Sequence, residues 1–338
     1  MVSWSFYNIS EVVPEWNKLV VDCLNHNIFQ TRNWAEFKSQ QGWEPLFCVA
    51  KSKEDHLMAL SLILIKPLGF KYSFAWSPGG ILCYPQESQV VDLEKLFEGL
   101  QSSFGNDHRK SILRMNFLHE HNSLWAHDLS KSFSRPLKPI NSGFTNIISI
   151  QKDVASFMDG MTSKHRYYTK KALKTPLTWK AYSGQFAFNE FYEVYDRMLN
   201  EKSLEHLRIM AKDSLQMIQC FPENHFFVTG YFNNKPVTSC LILTLNKKAH
   251  YYLAATCQEG RKHSASYAMV YKLYEYLMEN SFSELDFGGI APANKDAQGV
   301  DHFKNGFGGR VIEYLGEWES SRSKWLRYLV NFILQYKK

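Results

Sequence analysis

The sequence predicts an α/β protein of the α+β type, made of two similar units in tandem, each a mixed, mostly antiparallel sheet flanked by helices. Three observations carry that expectation. The triplet Leu62-Ile63-Leu64 recurs as Leu241-Ile242-Leu243, and a tyrosine follows ten residues on in both copies, Tyr72 and Tyr251, the mark of an internal duplication. Each half then runs in the same order of strand meander, helix and strand. Finally, 338 residues with 45% hydrophobic and 15% aromatic content exceed a typical single domain and are enough to fill two cores.

From Val13 to Leu24 the apolar residues recur at three and four, which predicts a first amphipathic helix. In the stretch Phe29–Lys38, Thr31 or Asn33 can cap a short helix whose last turn projects Lys38, where a cation suits the helix dipole. Pro45–Lys51 and Leu57–Lys66 read as strands around the turn Ser52–Asp55, with Phe70–Trp76 as the third of a meander. A helix from about Val90 to Leu100 precedes a strand at Ser111–Phe117, and the Pro- and Ser-containing loop Ser130–Ser142 leads to a break near Ser149. Lys152–Phe221 reads as helical, with Phe188, Phe191, Tyr195 and Leu199 on one stripe. The second meander turns at Asn233-Asn234-Lys235 and gives way to a helix over Ser264–Met278 and a strand at Glu284–Phe287.

Composition narrows the function. No stretch approaches the roughly 20 apolar residues of a membrane span, and Met1–Phe6 lacks the basic and apolar regions of a secretory signal, so a cytoplasmic protein is expected. The six cysteines are scattered without metal-ligand spacing and are expected as reduced core thiols. A net charge of +6 suits an anionic partner: nucleotide, phosphorylated lipid, RNA or a membrane surface. There is no phosphate loop ending in Gly-Lys-Ser/Thr, no Gly-x-Ser-x-Gly elbow and no zinc-protease motif, which argues against ATP and serine hydrolysis.

The chemistry-bearing stretch is Asp286-Phe287-Gly288-Gly289-Ile290 followed by Asp301-His302-Phe303-Lys304-Asn305-Gly306-Phe307-Gly308-Gly309. Glycines on both sides of Phe303 and Lys304 let a large ligand come close to the main chain; a pair of glycine turns beside a solvated lysine is the plainer alternative. Asp286 and Asp301 are candidate bases or turn residues. Lys164, Arg166, Lys170, Lys171 and Lys174, with Tyr167 and Tyr168, form a basic helical segment that tracks phosphates or is simply a solvated face. His119, His121, His127 and Asp128 are a weak metal set beside the more usual reading as loop histidines. The tail Ser323–Lys338 either closes over a core or docks on an anionic membrane.

The element order, together with Asp286-Phe287-Gly288-Gly289 and Phe303-Lys304-Asn305-Gly306-Phe307-Gly308-Gly309, resembles the FemABX family of aminoacyltransferases. The resemblance implies two tandem GNAT-like domains, residues 1–148 completed by the tail 311–338, and residues 149–310. It implies transfer of an amino acid from aminoacyl-tRNA to a free amine of a peptidoglycan precursor, nucleotide- or lipid-linked, with no cofactor, no metal and no DNA partner, at the inner face of the membrane where the precursor is lipid-linked. An acyl-CoA donor with an amino-sugar acceptor, or a non-catalytic tRNA- or membrane-binding module, are the alternatives. By the same resemblance Lys304 and Phe303 lie at the reacting ends, Lys38 and Arg208 grip the precursor's diphosphate, and Tyr251 contacts substrate; Gly288 and Gly289 are expected to meet it through the main chain they leave open. Two departures are plain: Ser77-Pro78-Gly79-Gly80 stands where many members carry Pro-Arg-Gly-Pro, and Gly260-Arg261-Lys262-His263-Ser264-Ala265-Ser266 does not form the acyl-CoA fingerprint of ordinary GNAT enzymes.

Overall fold

Alternating and fully apolar runs fold as strands here, and the 3.6-period stripes as helices. A computed structural model describes residues 2–85, 92–151, 153–203 and 207–336; Lys152, Glu205, His206, Lys337, Lys338 and the start of the helix expected from Val90 lie outside them. In chain order the first elements are β1 (Ser3–Tyr7), α1 (Trp16–Asp22), α2 (Arg32–Gln40), β2 (Glu44–Lys51), β3 (Leu57–Gly69), β4 (Tyr72–Ser77), β5 (Leu82–Cys83), α3 (Leu93–Asp107), β6 (Ser111–Glu120) and α4 (Ser123–Ser132). There follow β7 (Phe144–Ser149), α5 (Val154–Gly160), α6 (Ser163–Leu173), β8 (Thr178–Tyr182), α7 (Gln185–Lys202), α8 (Arg208–Cys220), β9 (His225–Phe232), β10 (Lys235–Leu245) and β11 (Lys248–Thr256). The chain closes with α9 (Gln258–Lys262), α10 (Ala265–Glu279), β12 (Glu284–Ile290), α11 (Gln298–Asn305), β13 (Arg310–Ser320) and α12 (Lys324–Tyr336).

Two compact units result, residues 1–143 with 313–338, and residues 144–312. In the first, β1, β2, β3 and β4 are antiparallel neighbours, β6 joins β4 in parallel, and β13 closes the order antiparallel to β6. The second repeats that order with β8, β9, β10 and β11, then β12 parallel to β11, then β7 antiparallel to β12. The crossover from β4 to β6 runs through α3, and that from β11 to β12 through α10, because parallel neighbours need a long connection. The sixth strand of each unit is supplied from a distant part of the chain. This moves the boundaries to 143/144 and 312/313 from the expected 148/149 and 310/311, since Phe144–Ser149 hydrogen-bonds to β12.

Ile63 and Ile242, the middle residues of the repeated triplets, are fully buried at corresponding places in the two cores. Leu96, Phe97 and Leu100 of α3 cover the first sheet beside Met115 and Phe117. In the second, Met269, Val270, Leu273, Tyr274 and Leu277 of α10 pack on Phe226, Ile242, Leu285 and Phe287. The opposite face of the second sheet receives α7, with Phe191 against Phe227 at 5.4 Å between ring centroids. Thr31 caps α2 by accepting from Trp34 N at 3.2 Å, one of the two caps the sequence offered. The expectation of an all-helical 152–221 is corrected by β8, whose Thr-Trp-Lys-Ala-Tyr alternation is a strand pattern.

The tail helix α12 lays Leu326 and Val330 on Ile112, Tyr72 and Phe74 of the first unit. A buried polar network holds it there. Arg114 donates to Glu319 Oε2 at 2.5 Å and to Asn331 Oδ1 at 3.0 Å; Arg327 and Asn331 both donate to Glu319 Oε1 at 2.7 Å.

Candidate functional site

The candidate site begins where two parallel strands stop pairing. β11 and β12 are in register only over Lys248–His250 and Glu284–Asp286. Beyond that, β11 follows β10 and β12 follows β7, so a wedge opens between Tyr251 and Gly288. A bulge in β11 at Tyr252, where Leu241 pairs with Leu253 but Ile242 with Tyr251, bends the strand in the way bulges do. Gly288 lines the wedge at φ +74°, and a Cβ there would stand 3.3 Å from the Tyr251 carbonyl oxygen and 3.7 Å from Lys304 Nζ. Only glycine serves at that φ without strain.

Lys304 reaches the wedge from the last turn of α11, so the motif that read as loop is a helix ending in glycine. Its ammonium donates to the Gly289 carbonyl at 2.8 Å. An ammonium has three donors, and the other two have no hydrogen-bond partner among the described residues. Burial lowers the Lys304 pKa below the ordinary lysine range, with Asp286 and Asp301 opposing that shift. The result is a partly desolvated cation with free donors beside exposed main chain, the arrangement that stabilises a developing oxyanion.

Both carboxylates considered as bases are engaged. Asp301 is buried inside α11, and its two oxygens accept from Ala291 N at 3.1 and 3.0 Å, tethering the helix to the end of β12. Burial pushes the Asp286 carboxyl up, but His250 at 3.4 Å and hydrogen bonds from Thr145 and Gly288 N outweigh it, leaving the carboxyl below its ordinary range. These are anchors for the two ends of the motif.

Phe303 packs edge-on against Phe307 at 5.0 Å and Tyr267 at 5.4 Å, one wall of the second core. Tyr251 leans on Phe287 at 4.9 Å, and burial raises its hydroxyl pKa well above the usual value. His165, which the sequence reading passed over as part of a basic run, is wholly buried in α6 and donates or accepts at two points: Thr162 Oγ1 at 2.9 Å and the Phe303 carbonyl at 3.0 Å. The carbonyl can only accept, so Nε2 carries the proton and Nδ1 accepts from Thr162. One signal was legible: Thr162 stands three residues before His165 and caps α6.

The remaining expected residues fall elsewhere. Lys164, Lys170 and Lys171 are exposed on α6, whereas Arg166 turns one guanidinium nitrogen, Nη2, onto the Asp159 and Met161 carbonyls at 3.0 and 3.1 Å, its buried Nε having no partner among the described residues. Arg208 opens α8 and turns back to Asp196 and Asn200 of α7. Lys38 lies in the first unit, on the last turn of α2, with its ammonium 5.0 Å from the Trp34 ring and 2.8 Å from Gln41 Oε1. His119 is half-buried against Trp125, its pKa lowered to about 4 by desolvation; among the described residues no three His, Cys, Asp or Glu side chains gather as a metal set. The stretch that replaces the acyl-CoA fingerprint runs from the end of α9 into the start of α10, with Lys262 and His263 paired to Glu259 and Arg261 to Glu201.

Two units of one topology, each with a helix-bridged parallel pair, define a tandem GNAT-like protein. Solved structures agree: the crystal structure of FemX matches with a TM-score of 0.79 at 15% identity over 97% of this chain and 100% of that one. A tandem GNAT protein from the clavulanic acid biosynthesis pathway matches at 0.52 and 10%, over 95% of this chain and 98% of that one. Residues 199–334 match the model of the FemAB family. Aminoacyltransferase FemA of Staphylococcus epidermidis is 28% identical over 109 residues, 31% of this chain, and the match spans 26% of that relative's length. Over residues 199–334 the chain is thus similar to the FemAB family, the direction in which the motif resemblance pointed, and the whole-length likeness to FemX shows the shared fold.

Proposed function

We propose that this protein transfers an aminoacyl group from aminoacyl-tRNA to a free amine of a peptidoglycan-type envelope precursor, nucleotide- or lipid-linked, in the second case at the inner face of the membrane. The observation that carries the reading is the Lys304 ammonium, held by the Gly289 carbonyl at 2.8 Å with donors to spare in the wedge beside Gly288. The name of the FemA relative points to the same class of reaction.

The neutral amine attacks the ester carbonyl. A C–N bond forms, the ester C–O bond breaks, and the amine's proton passes to the leaving ribose oxygen. Lys304 stabilises the oxyanion between these events. No carboxylate is needed as a base, consistent with the engagement of Asp286 and Asp301. Phe303, Tyr251 and Gly289 shape the wedge. Lys38 of the first unit and Arg208 of the second are each a candidate contact for the precursor's diphosphate, Arg208 by exchanging its pairing with Asp196, and Lys164, Lys170 and Lys171 meet the tRNA backbone; Arg166 supports α6 from within.

A CoA-dependent transfer to an amino sugar is the second reading. Against it stands α9, whose cations are already paired with carboxylates where a pyrophosphate would need them free. Mass spectrometry of precursors after incubation with mixed aminoacyl-tRNA, or with acyl-CoA, separates the two. Product mass rising by an amino-acid residue only with tRNA is the expected result. Acyl addition from CoA would replace the reading, and consumption of neither donor despite tRNA binding would favour a non-catalytic module.

A further inference from the structure

α12 is half used. Leu326 and Val330 face the first unit's sheet, while Trp325, Tyr328 and Phe332, spaced to share the opposite side, are 62%, 62% and 57% exposed. Leu137, on the loop before β7, lines the same shallow groove as these three rings. The patch continues onto the β3–β4 hairpin, because Tyr72 meets Trp325 at 6.4 Å. Two residues before Tyr72, Phe70 is 94% exposed at the hairpin tip, next to exposed Leu68. Single exposed apolar residues are ordinary; a run of this extent marks an interaction surface.

Charge selects the partner. The three contributing segments, 66–72, 134–143 and 324–336, contain no Asp or Glu. Lys71 and Lys324 are exposed beside the aromatic residues, Lys110 lies 5.6 Å from the Tyr72 ring centroid, and Lys138 reaches the Gln335 carbonyl near the end of α12. Tryptophan, tyrosine and phenylalanine with lysines around them, on a helix lying flat against its own domain, match an interface of headgroups and acyl chains. Among the described residues no helix is long and apolar enough to cross a membrane, so the contact would be peripheral.

We propose that the outer face of α12 and the β3–β4 hairpin tip form a docking surface for an anionic lipid bilayer. The rings enter the interfacial layer and Lys71, Lys110, Lys138 and Lys324 meet the headgroups. Docking needs neither substrate, so its outcome is separate from that of the transfer reaction.

The test is co-sedimentation of the full chain with vesicles of phosphatidylcholine alone or mixed with phosphatidylglycerol. Binding to the mixed vesicles, weakened by salt, is expected. Lys71→Glu with Lys324→Glu should reduce it at least tenfold, given about a fivefold contribution per lysine at an anionic surface. Phe70→Ser, which removes a side chain with no core role, should weaken it at least threefold without changing the melting temperature. Trp325→Ser with Phe332→Ser should abolish it. Binding unchanged in Phe70→Ser and in the charge-reversed variant overturns the proposal. So does a failure of the unmodified chain to bind, or a monomer–dimer equilibrium that the patch variants shift while vesicle binding stays constant.

Discussion

The His165 ring occupies the space a side chain on Gly306 would need: a Cβ at residue 306 would lie 1.9 Å from His165 Cε1. The same ring bonds the Phe303 carbonyl at 3.0 Å. α6 therefore fixes the last turn of α11, and with it the reach of Lys304 into the wedge.

Gly306→Ala should cost about 1–3 kcal/mol of stability, the usual penalty for overpacking a filled core. Thermal unfolding measures it. Adding His165→Ala to Gly306→Ala should cost less than the two single changes summed, because they share one cavity. A strictly additive double mutant would mean that the ring yields freely.

Lys304→Met should leave the melting temperature within a few degrees and lower the transfer rate about 10²–10³-fold, as loss of an oxyanion donor does. The protonated lysine is the active form, so activity is present below its folded-state pKa and lost above it. Burial lowers that pKa. The alkaline limb of the rate profile should therefore fall at a lower pH than an ordinary lysine would give, and should vanish from the residual activity of Lys304→Met. Lys304→Arg, always charged, would move the limb upward.

Arg114→Met should destabilise the first unit by about 3–5 kcal/mol, because it leaves Glu317 buried without its cation and Glu319 with Arg327 alone. Asn331 loses a partner in the same change, so protection of α12 amides from hydrogen exchange should fall first. Destabilisation below about 1 kcal/mol would show that water enters and replaces the arginine.

His119 makes the first unit acid-sensitive. Its folded-state pKa of about 4 lies below the roughly 6.5 of an unfolded histidine. The unfolded chain thus binds the proton first, and stability falls as pH drops from about 6.5 through about 4, then levels as far as this residue is concerned. Denaturant midpoints measured across that window should decline less steeply in His119→Phe, which keeps a ring against Trp125. Equal slopes would assign the acid sensitivity to other groups, His108, whose pKa burial also lowers, among them.

What the sequence determined by itself was local and periodic. The repeated Leu-Ile-Leu triplets marked two central strands, the 3.6-residue stripes α3 and α7, the repeated order of elements α10, and Thr31 the start of α2, because side-chain pattern and capping act over a few residues. The glycine motif marked the wedge for the same reason. Tertiary structure alone decided which strand closes which sheet: Phe144–Ser149 and Arg310–Ser320 are ordinary strand segments, and only pairing partners far away in the chain assign β7 to one unit and most of β13 to the other. It also separated reachable cations from occupied ones. Lys304 and Arg208 both read as substrate-binding cations, yet the first donates to a single carbonyl, that of Gly289, whereas the second is paired with Asp196 and Asn200.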